Sequence, residues 1–361
     1  MHTFLKLSLV FFMFNAFGQD FKLPSGFKIN TFASDMIAPR QMIQGSLGTI
    51  FVGSRKSNQV IALFDQDGNG FADYKRVIAE GLNSPSGVSI FEGDLYISEI
   101  DKIWKLNDIE NWLINNPSGF PLLELVSDKL PDDEWHGWKW LMHDEVGNLY
   151  TNIGAPCNVC LKEDSRYASI VMFEADTWKV VARGVRNSVG FDFHPESGEM
   201  YFGDNGRDWL GDDSPSCELN RLTTIGTHFG FPFLHDSNTV DPEYGSISHG
   251  YSIQKPILHL GAHVAPTGLS FYNHNYFGDE YRNNIFITLH GSWNRSSKVG
   301  YKVIRVVLSP DGSVENSSDF LTGFLNDQEV LGRPAAPLIL QDGSMLISDD
   351  KANKIYRISK I

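Results

Sequence analysis

One short pattern returns six times along this 361-residue chain: a Gly or Asn turn, an apolar strand, then a polar ending. The copies are Gly48-Thr-Ile-Phe-Val-Gly-Ser54, Gly93-Asp-Leu-Tyr-Ile-Ser-Glu99, Gly147-Asn-Leu-Tyr-Thr-Asn152, Gly198-Glu-Met-Tyr-Phe-Gly-Asp204, Asn284-Ile-Phe-Ile-Thr-Leu-His290 and Gly343-Ser-Met-Leu-Ile-Ser-Asp349. Several lead into a further apolar strand, as at Lys102–Leu106, Lys302–Val307 and Lys354–Ile358. A small antiparallel sheet cannot bury both of its faces alone, but copies packed around a common axis can. The expected fold is therefore all-β, a six-bladed β-propeller of four-stranded antiparallel blades, forming a single domain over residues 19–361. The opening strand Phe27–Phe32 has no blade of its own; it is expected to pair with the C-terminal blade, close the ring and remove an exposed edge. The only helix expected is a short one around Asp108–Asn115, ended by Asn116-Pro117.

The N-terminus carries a positive start, an apolar run from Leu7 to Phe14, and small residues at Ala16 and Gly18. Residues 1–18 read as a signal peptide, cleaved before Gln19. The run is too short for a bilayer of roughly 30 Å, so a periplasmic or secreted, not membrane-spanning, protein is expected. A formal net charge of −14 argues against nucleic-acid binding, which needs a basic surface. In an oxidising compartment Cys157-Asn-Val-Cys160 reads as a loop disulfide rather than a redox pair or half a zinc site. Leu161 follows, so haem attachment through CxxCH is excluded. Cys217 is left over, with no role assigned. Asp65-Gln-Asp-Gly-Asn-Gly-Phe-Ala-Asp73 starts like a calcium loop but has Arg76 where an EF-hand requires Glu. A polar hairpin and a structural calcium loop both stay open.

Equivalent positions in a ring of repeats meet at one height, so the turns leading into the innermost strands should line one mouth of the channel. Those turns contain Arg40, Ser86, His136, Arg186-Asn187, His263 and Arg333. Three arginines on one rim of an acidic protein point to an anion, because the guanidinium fork matches a carboxylate. The alternative is that each Arg pairs with a nearby acid and stiffens its turn. His136 is a candidate general base, since an ordinary imidazole titrates near neutrality. The loop Asp204-Asn-Gly-Arg-Asp-Trp-Leu-Gly-Asp-Asp213 suits an oxygen-ligated cation such as calcium, or is a solvated acidic turn.

These turns, with Leu23-Pro-Ser-Gly-Phe27, Gly184-Val-Arg-Asn-Ser-Val-Gly190, the 204–213 loop, Glu218-Leu-Asn220, Gly261-Ala-His-Val-Ala-Pro266, His290-Gly-Ser-Trp-Asn-Arg295 and Gly332-Arg-Pro334, carry a family resemblance. The chain resembles the sorbosone and pyranose dehydrogenase relatives of soluble quinoprotein glucose dehydrogenase, from about Leu23 to Ile358. The resemblance implies pyrroloquinoline quinone (PQQ) lying over the channel mouth, bridged to the protein by Ca2+, and a sugar or polyol substrate. It makes His136 the base that takes the hydroxyl proton while hydride passes to C5 of the quinone. Arg186 would stand by the C5 oxygen. Asn187, Arg333 and Arg40 would hold the cofactor, and Arg295 or Lys298 would add a basic contact. Backbone carbonyls of Gly206 and Arg207 would ligate calcium. Two departures stand out: Ser86 is where relatives often carry a longer polar residue, and Cys217 replaces an acid. With no haem segment, electrons are expected to leave to an external acceptor. Two other classes compete. A calcium-dependent lactonase would gather acids and amides on an axial metal, and a non-catalytic carbohydrate- or protein-binding propeller would not need His and Arg at one mouth.

Overall fold

The computed structural model describes residues 19–361, so the signal peptide expected over 1–18 lies outside the described residues. Six four-stranded antiparallel sheets form the blades, the third extended by a short parallel strand, Thr227–His228. The innermost strands are Pro39–Gln44, Val88–Phe91, Leu141–His143, Phe191–Phe193, Pro266–Tyr272 and Pro334–Ile339. Each of the six sequence repeats forms the second strand of one blade. The N-terminal strand Phe27–Ala33 pairs antiparallel with Lys354–Lys360, so the sixth blade is completed by the other end of the chain.

The apolar faces of the blades form layers between neighbours. Between the fifth and sixth, Phe27 sits edge-on to Phe277, Tyr281 and Phe320 at centroid distances of 4.8, 5.4 and 5.4 Å, a preferred aromatic arrangement. The expected helix forms over Ile109–Asn115, in the connection to the second blade's outer strand. Its buried Glu110 reaches back to the first blade, accepting hydrogen bonds from Leu47 N and Thr49 N at 2.9 and 3.1 Å. The helix is thereby tied across a blade boundary.

Around the axis the inner strands approach backbone to backbone. A Cβ on Gly190 would lie 2.7 Å from Gly268 Cα, and one on Gly268 would lie 2.6 Å from Ala335 O. Only glycine fits such a crossing. Polar side chains join the blades there too. Gln41 of the first blade donates to Leu141 O of the third at 2.6 Å, while its carbonyl oxygen accepts from Leu141 N and Val88 N.

Asp192, on the fourth blade's inner strand, accepts from Phe193 N and from Phe271 N of the fifth blade at 2.7 and 2.8 Å. Burial pushes its carboxyl up to about 7. A carboxyl raised on folding stabilises the protein below its unfolded pKa of about 3.9, and that contribution is lost as pH rises through the folded value. Stability is therefore expected to fall between about pH 4 and pH 7, with Asp192 accounting for on the order of 4 kcal/mol. Thermal melts of Asp192→Asn across that range should show a flatter profile than the wild type.

Candidate active site

Five of the six turns into the innermost strands share a backbone device. Ala38, Ser84, His136, Gly184 and Ala265 are all left-handed, with φ of 42, 50, 59, 63 and 56°. Non-glycine residues rarely adopt this conformation, and it concentrates where side chains must be aimed. Five of the six turns, all but the second blade's, open onto one cavity of about 420 Å³. Arg40, His136, Arg186, Asn187, Gly206 and Arg333 all line it, so most of the residues singled out in the sequence do come together.

His136 is 9% exposed. Its Nδ1 lies 2.7 Å from the Ala155 carbonyl, which can only accept. Nδ1 therefore carries the hydrogen and Nε2 presents a lone pair. The Trp135 indole N–H donates to that Nε2 at 3.2 Å. Burial first, and the Arg186 cation second, push the imidazole down to about 3, so it is neutral at ordinary pH. Gly154 allows this placement, because a Cβ there would lie 2.6 Å from His136 Cβ.

Arg186 is buried and almost fully engaged. Nε donates to Asn158 O at 2.8 Å, Nη2 to Asn158 Oδ1 at 3.0 Å and Asp208 Oδ2 at 3.2 Å, and Nη1 to Asn205 O at 3.2 Å. Of five guanidinium hydrogens, one on Nη1 remains for another acceptor. The turn itself is held by Asp204, whose carboxylate accepts from the backbone N–H groups of Arg186 and Asn187 at 2.8 and 2.7 Å.

Across the cavity Asp350 binds Arg40 Nε at 3.2 Å and His290 Nε2 at 2.8 Å. The adjacent cations hold its carboxyl well below the usual carboxylate range despite burial. Arg333 donates through Nε to His290 O at 3.1 Å and through Nη2 to Gly291 O at 2.5 Å. Arg55, which the sequence reading did not single out, also lines the cavity, its guanidinium carbon 3.8 Å from the centroid of a Trp138 ring. Burial and the neighbouring Arg40 lower its pKa to about 10.

Other expected contacts fall elsewhere. Arg295 and Lys298 do not line the cavity. The acidic loop captures Arg295 through Asp212 O and Asp213 Oδ1, at 2.9 and 2.6 Å, while Lys298 Nζ donates to Gln328 O at 2.8 Å. Arg55 supplies a basic side chain at the cavity that neither of them supplies. The Arg207 guanidinium pairs with Asp241 and Glu243, which leaves only its backbone for the role expected of it. Ser86 hydrogen-bonds Lys139 O within the channel and is not part of the cavity wall. Cys217 is in the wall, buried, with its sulfur 3.5 Å from Gly206 N. Cys157 and Cys160 form the expected disulfide.

The donor set suits a polyanion and a cation. Four arginines face two carboxylates, Asp208 and Asp350, leaving an excess of positive charge. Two buried acceptors, Asn187 Oδ1 and Asn294 Oδ1, have no partner among the described residues although both side chains border the cavity. Nor does any donor among the described residues reach the carbonyls of Gly206 and Arg207, which leaves them available as hard oxygen ligands. The Asp65–Asp73 loop instead is closed by Asn69 N to Asp67 and Gly70 N to Asp65, as a polar hairpin is, with three clustered carboxylates.

Comparison with known proteins gives this architecture a family. An uncharacterized protein of Borreliella burgdorferi is 38% identical over 351 residues, covering 93% of this chain and 90% of that protein. The holo pyranose dehydrogenase PQQ domain of Coprinopsis cinerea superposes with a TM-score of 0.78 at 19% identity, over 95% of this chain and 97% of that one. The calcium structure of the family AA12 carbohydrate-active enzyme of Trichoderma reesei gives 0.76 at 18% identity, over 94% and 97%. The PQQ-bound aldose sugar dehydrogenase of Streptomyces coelicolor gives 0.66 at 14%, over 94% and 99%. At these identities the three structures share the fold. A family model described as TrAA12-like matches residues 168–360, more than half of the chain, and the protein belongs to the TrAA12-like family.

Proposed function

We propose that this protein is a sugar oxidoreductase that uses PQQ and Ca2+, acts in the periplasm or outside the cell, and passes electrons to an external acceptor. The observation that carries this reading is a cavity with four arginines and a neutral histidine whose Nε2 carries no hydrogen. The PQQ-bound and calcium-bound structures of similar fold support it, and the substrate would be an aldose, sorbosone or a related pyranose. When bound, PQQ supplies the two-electron acceptor for the substrate's hydride.

The chain's own residues do the rest. Arg40, Arg55 and Arg333 offset the cofactor's carboxylates, and Asn187 offers its unpartnered oxygen to a donor. Arg186 turns its remaining Nη1 hydrogen toward an oxygen on which charge develops, a contribution worth roughly 10²–10³ in rate. Gly206 and Arg207 give backbone oxygens to calcium. His136 Nε2 takes the proton of the substrate hydroxyl, with the Ala155 carbonyl fixing the tautomer. A bound polycarboxylate would offset the arginine charge near His136 and raise its pKa toward the range of a working base.

Trp135 occupies the base's lone pair, so the substrate hydroxyl must displace it. A donor to the neutral imidazole disfavours protonation, and removing it raises the pKa. Trp135→Phe is expected to move the acid limb of kcat/KM upward by about half to one pH unit, the equivalent of one hydrogen bond. The reading as a whole is tested by adding PQQ and calcium to the purified chain and following dye reduction across aldoses, sorbosone and polyols. Substrate-dependent reduction that a chelator abolishes is the expected result. Failure of PQQ to bind at micromolar levels would overturn it.

A further inference from the structure

Arg186 owes two of its four side-chain hydrogen bonds to one residue, Asn158, which lies inside the four-residue ring closed by Cys157 and Cys160. Asn158 is also the link between that ring and the acidic loop. Its Oδ1 accepts from Asp208 N at 2.9 Å, and its Nδ2 donates to Asp208 O at 3.1 Å. Asp208 in turn binds Arg186 Nη2 through Oδ2 and accepts from Asn294 Nδ2 through Oδ1 at 2.9 Å. The segments of Arg186 and Asp208 thus meet on one amide side chain, and Asn294 joins them through Asp208. Asparagine suits the position because it offers an acceptor and a donor in one plane. An open four-residue loop would lose backbone entropy each time it held an arginine in one orientation. The covalent ring removes part of that freedom in advance.

We infer that Asn158, held by the Cys157–Cys160 ring, is a positioning residue that fixes Arg186 at the cavity wall. Its two acceptors consume Nε and one Nη2 hydrogen, and with Asp208 and Asn205 taking one each a single Nη1 hydrogen is left pointing elsewhere. Without them the guanidinium can turn about its side-chain torsions and present a different edge. The inference rests on the proposed function for its catalytic consequence, but not for its structural one.

The test compares Asn158→Ala, the double variant Cys157→Ser with Cys160→Ser, and their combination. The first readout needs no cofactor: the Nη2–H signal of Arg186 that Asn158 Oδ1 holds, read in 15N NMR of the purified chain and assigned through Arg186→Lys. In the wild type this hydrogen should exchange slowly, and in Asn158→Ala rapidly. The second is PQQ binding followed by tryptophan fluorescence, with Kd expected to rise about tenfold, the equivalent of one charge-assisted hydrogen bond. The third is turnover, expected to fall about 10²-fold through misplacement of one group. The combined variant should be no worse than the cysteine double variant, because opening the ring releases both Asn158 contacts and Asn158→Ala removes one of those same two. Asn158→Asp, which keeps the side-chain acceptor, should restore the slow Nη2–H exchange. Slow exchange in Asn158→Ala, or losses that add in the combination, would overturn the inference. A wild type that shows slow exchange but does not bind PQQ would overturn the proposed function and leave the positioning role supported.

Discussion

Replacing His136 with alanine is expected to lower turnover of the PQQ-loaded protein by about 10²–10⁴-fold, the usual worth of a positioned general base. PQQ affinity should change little, because the arginines that would hold the cofactor do not depend on the imidazole. The imidazole's protein hydrogen bonds are to the Ala155 carbonyl and the Trp135 indole. Losing the Ala155 contact costs about 1 kcal/mol of stability, too little to unfold a domain of this size. His136→Gln separates the two roles of the ring, since the amide can still donate to Ala155 but cannot take a proton. Steady-state dye reduction with saturating PQQ and calcium, alongside a thermal melt, distinguishes these effects. Gln and Ala variants equally inactive, both folded and both binding cofactor, is the expected pattern. Full turnover in either variant would remove His136 from the role of base.

Much of this site was legible because repetition converts sequence position into height in the ring. The turns before the inner strands named Arg40, His136, Arg186, Asn187 and Arg333, and all five line one cavity. Arg55 and Asp350 were harder to see, and the reason is geometric. In an antiparallel pair the end of the second strand lies beside the start of the first, so both open at the same mouth. Arg55 directly follows the first blade's second strand and Asp350 follows the sixth's. Reading one residue past each repeat would have found them. Arg295 and Lys298 could not be placed that way, because they sit in an irregular connection whose course depends on the partners it meets, here Asp212, Asp213 and Gln328. The Asn158 contact was likewise hidden. The spacing of the two cysteines gave the ring, but nothing in it says which buried side chain the ring will hold.

Arg186→Lys is expected to be nearly as damaging as removal of the side chain, although it keeps the charge. An ammonium has three donors on a flexible stem, whereas the wall offers acceptors arranged for a planar fork. Asn158 O, Asn158 Oδ1, Asn205 O and Asp208 Oδ2 are all within 3.2 Å of guanidinium nitrogens. A lysine could meet some of these acceptors, and doing so would spend the donors needed at the cavity. The expected loss in kcat is about 10²–10³-fold, the range for removing one aimed donor to developing charge. If a positive charge alone were enough at this position, Arg186→Lys would stay close to wild type while Arg186→Met lost activity. Equal losses in the two variants instead place the contribution in the direction of one N–H. The arginine charge also depresses His136, which gives an independent check. Arg186→Met should raise the His136 pKa, because a like charge has been removed, whereas Arg186→Lys should leave it nearer the wild-type value. Following the His136 ring signals by NMR over pH 3–7 reads that difference in the free protein, where turnover plays no part.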